Sequence, residues 1–383
     1  MTQIYVSGGA EWLQVSLVKD LNRLGVAVDV INLYTDDIPG TKEARERLHK
    51  IGAEQVHFLG MRVHPPPWQI VSGIFRLRRI LREGKYDIVE TAGFTPAIIA
   101  AWATRGIRAR HVFGLHQVMS KRRENRTVHK LLRLTARLCG ATRYYAISDF
   151  AAKAWSEYSG TRPTLTRRVY NAIRQDAFEQ VPDRARLRAE LGIPSNSRIA
   201  LYAGRLAADK GIETVLDALA PLLESENLYL LYVGRRDVFV PGTIETLARM
   251  EAKIQAAALG SRVRFLEFSA EMPRIMAASD LLVHPTTIEG FGLVLAEALA
   301  VGLPIVASDV EAIPEILAGS GARMIKPGDA QALAAAAQQM LAMSTAEREE
   351  GVRKGRARVE EFRLERRRDE MLGLFNDVLL GRF

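Results

Sequence analysis

The sequence predicts an α/β protein of two doubly wound domains, each a parallel sheet with helices on both faces. Three observations predict it. Short strand-like apolar runs alternate with helical segments along nearly the whole chain, the pattern of repeated βαβ units. The alternation breaks once, between about residues 171 and 197, in polar sequence with Pro182 and Leu191-Gly192-Ile193-Pro194, and a fresh strand series follows. A chain of 383 residues also exceeds one ordinary core and suits two.

In the first series Ile4-Tyr5-Val6 reads as a strand, Gly8-Gly9 as a turn, and residues 11–21 as an amphipathic helix with apolar residues at helical spacing. Residues 26–33 then read as a strand. Further strand-like runs lie at 55–59, 88–91, 111–115, 144–148 and 167–170. The second series runs through 199–203, 228–233, 263–266, 281–284 and 305–307, with helices between. From residue 345 the chain turns helical and highly charged. It ends in an amphipathic run at 368–380, whose apolar density predicts docking against a domain rather than a free tail.

Composition is that of a globular protein, 48% apolar and 25% charged. Cys139 is the single cysteine, so neither a disulfide framework nor a cysteine metal site can be built, and a reducing cytoplasm is the expected setting. No secretion signal and no membrane-spanning run is found. The net charge of +9 is uneven: residues 1–180 hold 28 Lys plus Arg against 16 Asp plus Glu, and the remainder 25 against 28.

The most informative stretch runs from Thr286 to Pro304. Between residues 293 and 301 every residue but Glu297 is Ala, Leu or Val, which predicts a helix buried on nearly all sides, with Gly302 as its stop. Glu297 has only Leu293, Val294, Ala300 and Val301 as helical neighbours, so nothing local pairs its carboxylate. Something outside the helix must satisfy it: a tertiary partner or the hydroxyls of a ligand. Glu289 stands eight residues earlier, before Gly290-Phe291-Gly292, a tight loop feeding the helix N-terminus, where free N–H groups and the helix dipole suit an anion.

A second constellation is Gly204-Arg205-Leu206-Ala207-Ala208-Asp209-Lys210-Gly211, a glycine at a strand end followed by two cations five residues apart. In doubly wound sheets ligands sit beyond the carboxyl ends of strands, so Arg205 and Lys210 stand where an anion would arrive, unless they merely form a solvated basic loop.

Together these residues resemble the GT-B glycosyltransferases of the large retaining family marked by an E-x7-E motif. Gly8-Gly9-Ala10-Glu11 resembles its N-terminal loop, and Gly204-Arg205-Leu206 with Lys210-Gly211 its basic loop. Glu289-Gly290-Phe291-Gly292-Leu293 with Glu297-Ala298 resembles its core motif, and Gly302 to Ser308 its following turn and strand. The resemblance implies two Rossmann-like domains facing a central cleft. The acceptor-binding domain would be residues 1–171 with 361–383, and the nucleotide-sugar domain residues 172–360.

The resemblance further implies transfer of a sugar, with retention, from a UDP or GDP sugar to a glycan or lipid-linked acceptor, in polysaccharide or lipopolysaccharide synthesis. No cofactor or metal would be required. Arg205 and Lys210 would grip the diphosphate, Glu297 the ribose and Glu289 the transferred sugar. Gly8, Gly9, Gly204, Gly234, Gly290, Phe291, Gly292 and Leu293 would line the donor site. His116 matches the family's N-domain histidine, although a lone histidine is more often structural; as a hypothesis it orients the sugar or a developing charge. The catalytic set is thus His116, Arg205, Lys210 and Glu289.

Two places depart from the family pattern. After Gly234 the expected glycine-rich loop reads Arg235-Arg236-Asp237, and Asn171-Ala172-Ile173 stands where relatives often carry Asn-Gly. The segment 105–143 holds eleven Lys and Arg against the single acid Glu124, and within it Val128, Leu131, Leu132, Leu134, Thr135 and Leu138 make an amphipathic helix with a basic face. It reads as a solvated face or as a surface for anionic membrane; nucleic acid is disfavoured, because no aromatic stacking platform accompanies the charge. The expectation is therefore a cytoplasmic enzyme, peripheral to the membrane. Rival readings are a nucleotide-sugar isomerase or epimerase on the same fold, and a non-catalytic nucleotide-sugar-binding partner protein.

Overall fold

The structure, a computed structural model, describes residues 9–35, 41–50, 52–62, 65–118, 126–138, 142–174, 178, 184–225, 227–238, 240–267 and 272–382. The expected strand Ile4-Tyr5-Val6, Gly8, Cys139 and residues 119–125 of the basic segment lie outside them. Contacts divide the chain into two units, Met1–Ala172 with Glu365–Phe383, and Ile173–Leu364. The return to the first unit comes a few residues later than position 361. The turn Glu360–Phe362 still belongs to the second unit, where Phe362 is fully buried with its ring edge-on to Phe291 at 5.2 Å.

The first unit opens with helix α1 (Gly9–Arg23), then β1 (Val30–Tyr34), α2 (Thr41–Lys50), β2 (Val56–Met61), α3 (Pro67–Glu83), β3 (Ile88–Ala92) and α4 (Phe94–Ala103). It continues with β4 (Arg110–Leu115), α5 (Arg126–Leu138), β5 (Arg143–Ala146), α6 (Asp149–Ser159) and β6 (Thr166–Arg168). Among the described residues its strands form a parallel pair, β1-β2, and a parallel four-stranded sheet, β3-β4-β5-β6. The strand expected from residue 26 begins only at Val30, because Leu24 and Val26 face solvent. The one expected to reach Ser148 stops at Ala146, since the Ser148 hydroxyl accepts from the Ala151 amide at 3.1 Å and caps α6.

The second unit contains α7 (Arg184–Glu190), β7 (Arg198–Ala203), α8 (Ile212–Ser225), β8 (Leu228–Val233), α9 (Thr243–Ala256), β9 (Val263–Leu266), α10 (Met272–Ala278) and β10 (Leu281–His284). Then follow α11 (Leu293–Val301), β11 (Ile305–Ser308), α12 (Ile313–Ile316), β12 (Arg323–Ile325), α13 (Ala330–Leu341) and α14 (Thr345–Val359). Among the described residues its six strands are parallel in the order β12-β11-β10-β7-β8-β9. Strand order reverses between β7 and β10, so the loops leaving these two strands flank a topological switch point, the standing place for a ligand in such sheets. Residues 200–202, 230–233 and 281–283 are fully buried, which is why these strands read as continuous apolar runs. Strand β12 gave no such signal because Arg323 and Met324, on the edge, are exposed.

The last helix, α15 (Leu364–Leu380), belongs to the first unit, where Met371, Leu374 and Val378 are buried with Leu17, Leu21, Val112, Tyr145 and Val169. The docking expected of the C-terminal run has this apolar stripe as its cause.

Candidate functional site

The second unit's site is built from three loops at the carboxyl ends of β7, β8 and β10. Gly234 ends β8 with φ +154°, and a Cβ there would lie 1.8 Å from the Gly204 carbonyl oxygen at the end of β7. Gly211 has φ +69°, and its Cβ would meet the Pro285 carbonyl oxygen at 2.1 Å, just after β10. Side-chain-free backbone is thus what lets the three loops touch. Hydrogen bonds from the Leu206 amide to Arg235, from Asp237 back to Leu206, and from Thr287 to Asp209, at 2.9 to 3.1 Å, fix their register.

Within this frame Lys210 Nζ lies 3.0 Å from Glu289 Oε2 and 2.9 Å from the Ile288 carbonyl, and His284 Nε2 lies 3.3 Å from the same Glu289 oxygen. Burial would raise the Glu289 pKa, but His284 and Lys210 together outweigh it and hold the carboxyl at about 2, an anion. Its amide donates to Glu311 Oε2 at 2.8 Å, from a residue held at φ +48°. Arg205 Nη1 lies 2.6 Å from Asp237 Oδ2 and Nη2 3.6 Å from Asp209 Oδ2. Neither cation stands free for an anion: each already holds a carboxylate.

Helix α11 has the predicted bounds, and Gly302 closes it in the left-handed region at φ +79°. It is less enclosed than its composition predicted. Leu293, Val294, Glu297 and Val301, at helical spacing, share one partly exposed face, and Glu297 sits on it. No side chain caps the helix start at Gly292. Among the described residues no donor reaches the Glu297 carboxyl. Desolvation raises its pKa to about 7 against the counter-pull of the Arg174 charge. An uncapped helix start and an unsatisfied carboxyl one helical turn along it make a place where an anion and a pair of hydroxyls can both be received.

In the first unit His116, at the end of β4, has Nε2 3.0 Å from the Tyr145 hydroxyl, which in turn lies 2.7 Å from Glu90 Oε1. Burial, and then the Arg367 charge, push the His116 pKa down to about 3, so the ring is neutral. Gly9, Ala10 and Glu11 form the first turn of α1.

Two family models match the chain: Glycosyltransferase Family 4 over residues 7–176 and Glycosyl transferases group 1 over residues 183–358. Between them they take in nearly its whole length. The chain belongs to the GT-B glycosyltransferases. It is 24% identical over 340 residues to the D-inositol 3-phosphate glycosyltransferase of Streptomyces bingchenggensis, covering 84% of this chain and 74% of that one. It is 28% identical over 266 residues to the phosphatidyl-myo-inositol mannosyltransferase of Mycobacterium leprae, covering 68% and 65%. The crystal structure of Anabaena HepE in complex with UDP superposes with a TM-score of 0.84 at 23% identity, over 98% of each chain, and shows the same fold.

In this GT-B glycosyltransferase Arg205, Lys210, Gly234, Glu289 and Glu297 come from loops and a helix that the switch point brings together, whereas His116 belongs to the other unit. Sequence reasoning missed His284, Asp237 as the Arg205 partner, and Glu311. Only His284 left a signal, as a polar residue ending an apolar strand. Asn171, Ala172 and Ile173 need no glycine, since none of them has positive φ. Among the described residues no group of three His, Cys, Asp or Glu could hold a metal, and no helix is long and apolar enough to cross a membrane.

The basic helix α5 is not a single apolar stripe. Leu132, Thr135 and Ala136 are buried, while Leu131, Leu134 and Leu138 are exposed beside Lys130, Arg133 and Arg137. A similar face went unread on α3, where Trp68, Val71 and Phe75 are exposed at 64%, 53% and 68%, in line with exposed Arg79 and Arg82. Helix α4 packs against both α3 and α5.

Proposed function

We propose that this glycosyltransferase takes its sugar from a nucleoside-diphosphate sugar, of UDP or GDP type, and delivers it with retention to a lipid-linked acceptor of the cell envelope, such as a lipopolysaccharide precursor. The observation that carries the donor side is Glu297. An acid pushed to about 7 with no donor of its own, beside an uncapped helix start, suits a ribose diol next to a diphosphate. The HepE complex with UDP, on the same fold, supports this choice.

In this reading the diphosphate displaces Asp237 from Arg205 and shares Lys210 with Glu289. Both cations and the α11 amides then stabilise charge that grows as the nucleotide departs. No metal is assigned a role, and turnover is expected to survive EDTA. Glu289, held ionised, accepts from hydroxyls of the transferred sugar. The exposed apolar and basic faces of α3 and α5 support an acceptor presented at an anionic lipid surface, since aromatic rings settle at the headgroup level and basic side chains contribute about 1 kcal/mol each there. The phosphatidyl-myo-inositol mannosyltransferase, by name, acts on such a lipid.

Calorimetric titration of the protein with a panel of UDP and GDP sugars tests the reading, with Glu297→Ala as the control. One donor should bind in the micromolar range and lose at least about tenfold in the variant, the loss of one charge-assisted hydrogen-bond pair. Failure of every nucleotide-sugar to bind would overturn it. Anomeric NMR of the product decides retention.

A further inference from the structure

The described histidines of the first unit include one that is complete in itself and one that is not. His111 is buried with both ring nitrogens partnered, Nε2 by Thr91 Oγ1 at 2.9 Å and Nδ1 by Thr142 Oγ1 at 3.0 Å. His116 has Tyr145 on Nε2, while its Nδ1 is buried and has no partner among the described residues.

The hydrogen bonds around Tyr145 have a direction. Burial, and then the nearby Glu90 charge, push its pKa well up, so the hydroxyl keeps its one proton. That proton points at Glu90 Oε1, 2.7 Å away, which can only accept. The Gln14 amide, at 3.4 and 3.5 Å from Glu90 Oε1 and the Tyr145 oxygen, donates to both. Toward His116, therefore, the Tyr145 oxygen has only a lone pair to offer. The Arg367 guanidinium, 5.7 Å from the Tyr145 ring centroid and donating to the Tyr170 carbonyl at 3.3 Å, completes the surround with positive charge.

We propose that Glu90 and Tyr145 are positioning residues that fix His116 as the Nε2–H tautomer, leaving Nδ1 a bare acceptor for a sugar hydroxyl of the substrate. His116 then acts as a neutral acceptor and not as an imidazolium. The cost of a buried acceptor without a donor is relieved when that hydroxyl arrives. The substrate half of this inference rests on the transferase reading above; the tautomer half does not.

The test is ring-nitrogen NMR of the 15N-labelled full chain at neutral pH, with the His116 signals assigned by their loss in His116→Gln. The wild-type ring should carry its proton on Nε2. Glu90→Leu removes the acceptor, frees the Tyr145 proton to turn toward His116, and should move the ring proton to Nδ1. Glu90→Gln keeps an oxygen for Tyr145 and should keep the wild-type tautomer. With UDP-glucose as the probe, Glu90→Leu should weaken binding roughly threefold to tenfold, the worth of one hydrogen bond. Glu90→Gln should retain most of the affinity. A wild-type proton on Nδ1, or an unmoved proton in Glu90→Leu, would overturn the proposal, and the wild-type spectrum decides even if a variant does not fold. A moved proton with unchanged UDP-glucose affinity would overturn the substrate role alone. No binding of UDP-glucose by the wild type would count against the donor assignment, with the spectrum still read independently.

Discussion

At Glu297 ionisation and folding are linked with a definite sign. Its pKa of about 7 in the folded protein lies above the ordinary value of 4.5, so the folded state holds the proton more tightly than the unfolded chain. The penalty is absent below about pH 4.5, grows between there and pH 7, and is complete above. Glu297→Gln should therefore leave ligand-free stability unchanged near pH 4.5 and raise it by about 1 kcal/mol at pH 8, since solvent at this partly exposed face screens part of the shift. Thermal unfolding at the two pH values checks this, and equal effects at both would refute it. Glu289 has the opposite sign: held at about 2, it contributes stability above pH 4.5 that is lost as pH falls toward 2. Lys210→Met strands that carboxylate with His284 alone and should destabilise by about 2–4 kcal/mol, with Lys210→Met/Glu289→Gln recovering much of the loss. Urea unfolding of the two singles and the double measures the coupling.

At the scale of elements, the loop after β7 depends on backbone that a side chain would block. Gly211→Ala puts a methyl 2.1 Å from the Pro285 carbonyl oxygen at a positive φ, so the loop must shift away from the end of β10. Stability should fall by about 1–3 kcal/mol and nucleotide-sugar affinity with it, read by thermal shift with and without donor. Helix α3 offers the contrasting case. Trp68 and Phe75 face solvent, so Trp68→Ser/Phe75→Ser should change stability by no more than about 0.5 kcal/mol. The same variant should lose co-sedimentation with anionic vesicles at low salt; retained binding would remove this face from the membrane proposal.

For the whole molecule, the first unit is discontinuous in sequence and closes only when residues 365–383 return to it. All four tryptophans, Trp12, Trp68, Trp102 and Trp155, belong to that unit, so tryptophan fluorescence reports on it alone. Removing residues 365–383 strips Met371, Leu374 and Val378 from the core. At about 1.5–3 kcal/mol for each buried side chain, that loss is on the order of a domain's entire stability. The tryptophan-reported transition should disappear, while a nucleotide-sugar should still bind to the second unit.

Much of this was legible in the sequence, and the reasons differ by place. Strands β8, β9 and β10 and helix α11 kept their predicted bounds because each is a mainly apolar run closed by a turn, most fully buried in β10 and least in β9. Strand β12 was illegible because two of its three residues face solvent. Helix α3 hid its exposed face because Trp, Val and Phe read as core until their direction is known. The sequence by itself determined the two α/β units, the glycine loops, and the isolation of Glu297 from its helical neighbours, all consequences of spacing along one chain. Only the tertiary structure decided that Lys210 holds Glu289 with His284, that Asp237 holds Arg205, and that Arg367 from α15 stands beside Tyr145 and His116. Apart from His284, five residues before Glu289, those pairings join residues 32 to 251 positions apart in the chain, and such partners are set by which strand ends the parallel sheet places side by side.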